Sequence, residues 1–273
     1  MKKIFKPTII LMLLIFLFQV KLSAKEIESR EYFPPVIMYH DIRPDPHNYM
    51  DVTVKDFAAQ LDWLKQNGWK TLSIDEFIEI TKFGKAFPKK SVLLTFDDGY
   101  KGVYTYAIPE LKKRDMKATF FILVNYLDVL EGDYPYLTTE QLKELANDPL
   151  FSIGSHTLTH PHLNLLDEKE KVKEIAESKK FLEEIVGREV KSFAYPTGAY
   201  DKSVIKAVIA AGYDVAFSVQ DRGILHELPR YSIPRIFVGY EFGQDNQKLF
   251  KKYVQTYREM PAAAFAERWE PFE

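Results

Sequence analysis

Cysteine is absent from the chain. That excludes disulfides, a lipid-modified N-terminal Cys, thiolate metal sites and a Cys nucleophile, so any metal must be held by His, Asp or Glu. A charge excess is also absent: 37 basic and 39 acidic residues leave a net charge of −2. With no basic stripe carrying interleaved aromatics, nothing marks a nucleic-acid partner. The apolar run at Ile9–Phe18 is about ten residues, short of the roughly 20 that cross a bilayer. No stretch rich in Gly, Ser or Pro reads as a linker, and no internal repeat is evident, so the chain reads as one domain after its leader. What is present is apolar: 46% of 273 residues are hydrophobic and 14% aromatic. Such a chain folds around a sizeable core.

The N-terminus has the layout of a secretory signal. Lys2, Lys3 and Lys6 precede the apolar run, and Gln19, Lys21, Ser23 and Ala24 follow it. Cleavage is expected after Ala24, although Leu22 sits where a small residue is usual. Retention of residues 1–24 as an N-terminal anchor is the alternative. Either way the protein is expected to be exported: secreted, periplasmic or at the cell surface, with peripheral association with the membrane or cell envelope.

From residue 25 to 273 strands and helices alternate. Strands are predicted at VIMY (36–39), SVLLTF, KATFFILV, FSIGSH, KSFAYP, YDVAFSV and a final YSIPRIFV. Helices are predicted at TVKDFAAQLDWLKQNGW, where Phe57, Leu61 and Leu64 recur at helical spacing and Gly68 is a C-cap, and after Ser73 or Asp75 as N-cap. Further helices fall at YTYAIPELKKRDM, TTEQLKELAND, EKEKVKEIAESKKFLEEIVG and KSVIKAVIAAG. This order predicts an α/β fold with a parallel sheet and crossover helices. Six or more such units suggest a closed or nearly closed barrel, with function at the C-terminal ends of its strands. The tail PAAAFAERWEPFE is either a docked helix or a loose end.

Those strand ends carry the ionisable residues. VIMYH ends in His40, LLTFDD in Asp97 and Asp98, and FSIGSH in His156, with His160 four residues on. SFAYPTG ends at Tyr195–Gly198, and the last strand carries Arg235. Two adjacent carboxylates are costly to desolvate, so cations are expected beside them. In a helical turn, residues four apart share a face, so His156 and His160 could grip one divalent ion, with a carboxylate from a neighbouring strand as third ligand. The plain alternative is a pair of histidines decorating a surface turn. A strand-to-helix turn with an Asp N-cap likewise explains one of the two aspartates but not the second. With an ion present the two aspartates would divide the work: one binds the ion, the other takes a proton from water.

TFDDGY, SHTLTH and FAYPTG, in this order, resemble the first three signature motifs of the polysaccharide deacetylase family, metal-dependent carbohydrate esterases related to nodulation-factor (NodB) deacetylases. The likeness spans about residues 34 to 240. It implies a distorted (β/α) barrel of about seven parallel strands, with residues 25–273 as a single catalytic domain. It implies Asp97 as general base and Asp98, His156 and His160 as ligands of a divalent metal, most often Zn2+, with Co2+ or Ni2+ as alternatives. The residue after Pro196, here Thr197, would offer its backbone N–H to an oxyanion, and Tyr195 and Pro196 would line the groove.

Two departures stand out. Many members carry an Arg that orients the base where this chain has Ala194; Arg235 is the expected substitute and Arg230 the second choice. The late Leu-x-His motif that supplies the general acid is missing in clean form. VIMYHDI instead resembles the subgroup acting on poly-β-1,6-N-acetylglucosamine, in which the acid comes first. His40 is therefore assigned as acid, with Asp41 as an orienting partner or a simple cap and His226 as the competing candidate. A buried, backbone-bonded structural histidine is the plain alternative for His40.

The implied reaction is removal of N-acetyl groups from an exported glycan, releasing acetate, with the biofilm polymer poly-N-acetylglucosamine favoured. Peptidoglycan, chitin oligomers and acetylated xylan are the other substrates weighed. Tyr100, Tyr195 and Tyr200 could stack on sugars, although ordinary packing explains most aromatics. His162 is read as a rim residue, and the Lys/Glu-rich stretch 168–184 as a solvated helix face. A glycosidase would leave the two histidines unexplained. A non-catalytic carbohydrate-binding relative predicts no metal and no acetate. The chain is taken to act as a monomer.

Overall fold

A computed structural model describes residues 33–83, 85–219, 229–240 and 244–259. The expectations for the leader, for His226 and for the tail from Pro261 fall outside these residues.

VIMY and SVLLTF are buried at every position, the pattern of strands covered on both faces. They become β1 (Val36–Tyr39) and β5 (Ser91–Phe96), which pair in parallel. The sheet continues through β6 (Ala118–Ile122), β7 (Phe151–Ser155), β8 (Ser192–Ala194) and β9 (Val215–Phe217), with β10 (Ile236–Phe237) on the far side of β1. All these pairings are parallel. A short β4 (Lys70–Thr71) adds to β5. The seven-strand curled sheet is the predicted distorted (β/α) barrel. A separate ladder of β2 (Asp41–Arg43) and β3 (Asp51–Thr53) was not foreseen; strands of three residues are too short to show a period.

The final strand is shorter than predicted. Within YSIPRIFV only Ile236–Phe237 is strand. Ile233 bridges Phe217 of β9, whereas Ile236 and Phe237 pair with Ile37 and Met38 of β1. Pro234 has no N–H, so the ladder breaks between the two pairings. One segment thus passes from one edge of the curled sheet to the other, with Arg235 at the crossing.

Helices cover the outside. Thr53 caps α1 (Val54–Gln66) by accepting from the Asp56 N–H at 3.0 Å. Ser73 caps α2 (Ile74–Phe83), exchanging bonds with Glu76 as a capping box. Pro109 has no N–H for the carbonyl of Thr105. The predicted helix there opens with a wide turn (Val103–Ala107), in which the Ile108 N–H bonds to Val103, before α3 (Ile108–Lys113). A capping box at Thr138 and Gln141 starts α4 (Thr139–Asn147). The long charged helix is split by a second wide turn into α5 (Glu168–Val172) and α6 (Ser178–Val186). Asp201 caps α7 (Lys202–Ala210). A helix not predicted from the sequence, α8 (Asn246–Glu259), buries Phe250 and Val254 and sets Phe250 edge-on against Trp63 of α1.

Gly154, in the middle of β7, marks a close approach. A Cβ there would lie 2.5 Å from the Phe121 ring and 2.7 Å from Ser192 Oγ. Gly154→Ala should therefore cost about 1–3 kcal/mol by overpacking. The expected result is a lower urea midpoint at unchanged slope.

Candidate active site

The strands deliver their C-terminal residues to one rim through continued ladder bonds. The Asp97 N–H donates to Tyr39 at 2.9 Å, the His156 N–H to Ile122 at 2.9 Å and the Tyr195 N–H to Phe217 at 3.0 Å. A cavity of about 880 Å³ opens there, lined on its floor by His40, Asp97, Asp98, His156, His160 and Arg235. Thr197 and Tyr195 are in its wall.

Asp97 is 2% exposed and Arg235 only 1%. They form a two-pronged pair, Nη1 to Oδ1 and Nη2 to Oδ2, each 2.7 Å. Arg235 is itself held: Nε donates to the Ser218 carbonyl at 3.0 Å, and the guanidinium lies 5.4 Å over the Phe121 ring. Burial disfavours the Asp97 anion, but Arg235 and His156 outweigh it and hold its pKa at about 2. The crossing segment thus brings Arg235 onto Asp97 from the far edge of the sheet. Arg230 instead lies beside the Tyr231 ring.

Asp98, His156 and His160 form the one group among the described residues with three convergent metal-ligating side chains, their ligand atoms within 4.8 Å of one another. Asp98 Oδ1 lies 3.5 Å from His156 Nε2 and 3.8 Å from His160 Nε2. Ligands about 2.0–2.1 Å from one tetrahedral centre stand about 3.3–3.4 Å apart, so the two separations from Asp98 Oδ1 are near what a shared divalent ion needs. Asp98 Oδ1 is buried and takes no hydrogen bond, an atom that wants a cation. The Ala194 carbonyl accepts from His156 Nδ1 at 2.8 Å, which leaves Nε2 as the free lone pair facing Asp98. Burial pushes the His156 pKa down against the pull of Asp97 and Asp98, keeping the ring neutral.

The two histidines are not on a helical turn, as their spacing had suggested. Thr157 and His160 have φ of 75° and 63°, so the loop curls through left-handed residues. It is stapled by the His160 N–H donating to Thr157 Oγ1 and by Glu174, which accepts from the Leu158 and Thr159 N–H groups. Asp98 (φ 70°) and Thr197 (φ 56°) also adopt this costly conformation. Such strain concentrated around one cavity is a mark of function.

His40 lines the cavity and sets its ring edge-on to Phe237 at 5.7 Å. Its Nδ1 is buried without a hydrogen bond, unlike the backbone-bonded structural histidine. Asp41 does not serve it: Asp41 Oδ1 accepts from the Ile42 N–H, and Oδ2 faces Arg43 at 3.9 Å. Thr197 pairs its hydroxyl with His162 Nδ1 at 3.2 Å, placing His162 on the rim. Tyr195 is fully buried, donates to the Tyr231 carbonyl and stacks on Tyr200; packing, rather than sugar stacking, occupies its ring.

Of the aromatics in the cavity wall, Tyr100 and Tyr195 were expected from the sequence, and Tyr49, Tyr126, Tyr136 and Phe237 were not. Tyr100, Tyr136 and Tyr126 form one cluster of rings in the lining, and Tyr49 with Phe237 forms another, beside Met50. Tyr49 is 63% exposed at the mouth. Its loop is tied down at Gly239, where a Cβ would lie 1.9 Å from the Tyr49 carbonyl. The density of tyrosine in 126–136 was the only available signal.

The profile of the polysaccharide deacetylase family matches residues 84–216. YxkH of Bacillus subtilis, provisionally named a polysaccharide deacetylase, is 35% identical over 75% of this chain and 71% of its own length. The poly-β-1,6-N-acetyl-D-glucosamine N-deacetylase of Staphylococcus epidermidis is 33% identical over 70% of this chain and 68% of its own. Among solved structures, the Streptococcus pyogenes deacetylase PplD in complex with acetate superposes with a TM-score of 0.73 at 25% identity, covering 84% of this chain and 99% of that one.

Proposed function

The chain belongs to the polysaccharide deacetylase family, and from that premise we propose that it is a metal-dependent N-deacetylase of an N-acetylglucosamine polymer, with poly-β-1,6-N-acetylglucosamine as the favoured substrate. The observation that carries the chemistry is the orphaned Asp98 Oδ1 facing two imidazole nitrogens, next to an Asp97 held ionised by Arg235. The polymer is inferred from the Staphylococcus epidermidis relative and from VIMYHDI; the acetate in the PplD structure matches the expected product.

Hydrolysis adds water across the C–N bond of the acetamide and yields acetate and a free amine. A divalent ion held by Asp98, His156 and His160, most plausibly Zn2+, would polarise the acetyl oxygen and lower the pKa of water from about 15.7 towards about 7. Asp97, ionised, takes the proton of the attacking water on a carboxylate oxygen, while Arg235 keeps that carboxylate in one plane. The backbone N–H of Thr197 meets the negative charge developing on the acetyl oxygen. His40, protonated, delivers its proton to the amine nitrogen as the C–N bond breaks. Tyr49 and Tyr100 offer ring faces to the sugar. Residues 25–273 act as one catalytic domain and as a monomer. Export is inferred from the basic and apolar leader, with residues 1–24 either removed or kept as an anchor; among the described residues no helix is long and apolar enough to cross a membrane.

The test is acetate release from a panel of β-1,6- and β-1,4-linked N-acetylglucosamine oligomers, peptidoglycan glycans and acetylated xylan. Release from the β-1,6 series, lost on chelation and restored by Zn2+, is the expected result. Release from another member reassigns the substrate, and release from none removes the enzymatic reading. For the acid, His40→Ala should lower turnover about 10²–10⁴-fold, as expected for a lost proton donor. His226→Ala, compared side by side, should not.

A further inference from the structure

We propose that Tyr134 is a positioning residue for glycan recognition: its hydroxyl holds the turn that presents Tyr49 at the cavity mouth, where the Tyr49 ring takes a sugar beside the reacting one. This rests on the glycan reading above. Tyr49 needs such a support. Its loop, residues 44–50, joins β2 to β3, which pair in parallel. Parallel neighbours ordinarily need a crossover of about a dozen residues or more. This shorter return has to arch away from the ladder, and side chains hold the arch. Asp51, fully buried at its foot, gathers three donors on Oδ2: the His47 N–H at 2.6 Å, the Asn48 N–H at 3.1 Å and the Tyr134 hydroxyl at 3.0 Å. A carboxylate only accepts, so the single proton of Tyr134 goes to Asp51. The Tyr134 oxygen in turn accepts from Asn48 Nδ2. The other end of the same amide, Oδ1, accepts from the Met50 N–H at 2.7 Å and closes a turn around Tyr49. One hydroxyl thus fixes both the Asp51 anchor and the amide that bends the chain at Tyr49.

Tyr134 is itself braced. Arg43 lies 4.8 Å over its ring and donates to the Asp133 carbonyl at 3.3 Å. The ring stands 5.3 Å from that of Tyr100. Its segment is laced to the loop after Asp98: the Leu137 N–H donates to Gly99 at 2.9 Å and the Lys101 N–H to Pro135 at 2.8 Å. Tyr134 therefore couples the arch to the Tyr100 cluster. It is not in the cavity lining, so it acts through Tyr49 and not on the ligand. Tyr49 is in the lining, with its ring 5.9 Å from that of Phe237, which is 5.7 Å from that of His40. Two ring contacts thus separate Tyr49 from the assigned acid, which sets it alongside a neighbouring sugar and not the acetamide that is cleaved.

The readout is the affinity for β-1,6- and β-1,4-linked N-acetylglucosamine oligomers, measured by titration calorimetry. The parent is the full chain carrying Asp97→Asn, with Zn2+ supplied, so that a bound glycan is not cleaved. Tyr49→Ala should weaken binding about 2–10-fold, the size of one lost ring contact. Tyr134→Phe keeps the ring beneath Arg43 and removes only the hydroxyl; it should lose a similar factor. Tyr49→Ala combined with Tyr134→Phe should bind no worse than Tyr49→Ala alone, because Tyr134 acts only through that ring. Asn48→Ala, which removes the amide and leaves Tyr134 in place, should behave as Tyr134→Phe does in the same cycle. Parent affinity in Tyr134→Phe overturns the inference. So do additive losses in the double variant, which would mean a general loosening of the fold. A parent that binds no oligomer of either series overturns it as well. Binding by the parent without acetate release by the native chain keeps the inference and removes only the hydrolytic reading above.

Discussion

Replacing Asp97 with Asn should abolish most acetate release, by about 10²–10⁴-fold for a lost general base, while the ion content of the purified chain stays at the wild-type value. Asn has the shape of Asp but cannot take a proton from water. It also turns one of the two bonds from Arg235 (2.7 Å each in the native pair) into a contact between two donors. The ligand set of Asp98, His156 and His160 is untouched by the change, so ion uptake is the control that separates the two aspartates. His156→Ala should show the opposite pattern, with the ion lost along with turnover. Should Asp97→Asn lose the ion while Asp98→Asn keeps it, the roles of the two aspartates are interchanged.

Removing the other half of that pair should be the largest blow to stability. Arg235→Met leaves the Asp97 carboxylate buried without a counterion, and breaking a buried pair from one side costs about 3–5 kcal/mol. The loss depends on pH with a definite sign. In the native protein the Asp97 pKa sits at about 2, below its ordinary 3.8. The stability it contributes is therefore fully present above about pH 4 and is lost as pH falls towards 2. Without Arg235 the burial penalty dominates and the carboxyl is driven towards its neutral form. The gap between native and variant should then be widest near neutrality and narrow in acid. Urea unfolding at a series of pH values measures this. The double variant Asp97→Asn with Arg235→Met should be more stable than Arg235→Met alone, because the uncompensated charge is gone. Additive losses would mean that the pair does not act as a unit.

Much of the architecture was legible in the chain because parallel strands buried on both faces announce themselves as apolar runs. VIMY and SVLLTF became β1 and β5 at the predicted residues, and TTEQLKELAND became a capped helix because Thr138 and Gln141 carry the box. The three-residue β2 and β3 were missed because they have no local period, the last strand shrinks to two residues where Pro234 interrupts it, and the helix α8 was passed over although Phe250 and Val254 stand at helical spacing. The wide turn before α3 likewise depends on one proline and not on a pattern. At the site, the sequence showed which side chains could bind an ion, but the helical picture drawn from the spacing of His156 and His160 did not survive. Left-handed residues at Thr157 and His160 bring the rings together by another route.

By itself, then, the sequence determined the kind of sheet, the succession of strands along the chain and which ionisable residues end them, since burial pattern and strand termini are local properties. The tertiary structure decided that Arg235, 138 positions away, and not Arg230 would close on Asp97 with both prongs, and that Tyr136 would come to stand beside the Asp98 loop. Both are contacts between strangers in the chain. They are set by how the sheet curls and by where its last segment crosses, and no window of neighbouring residues contains that curvature.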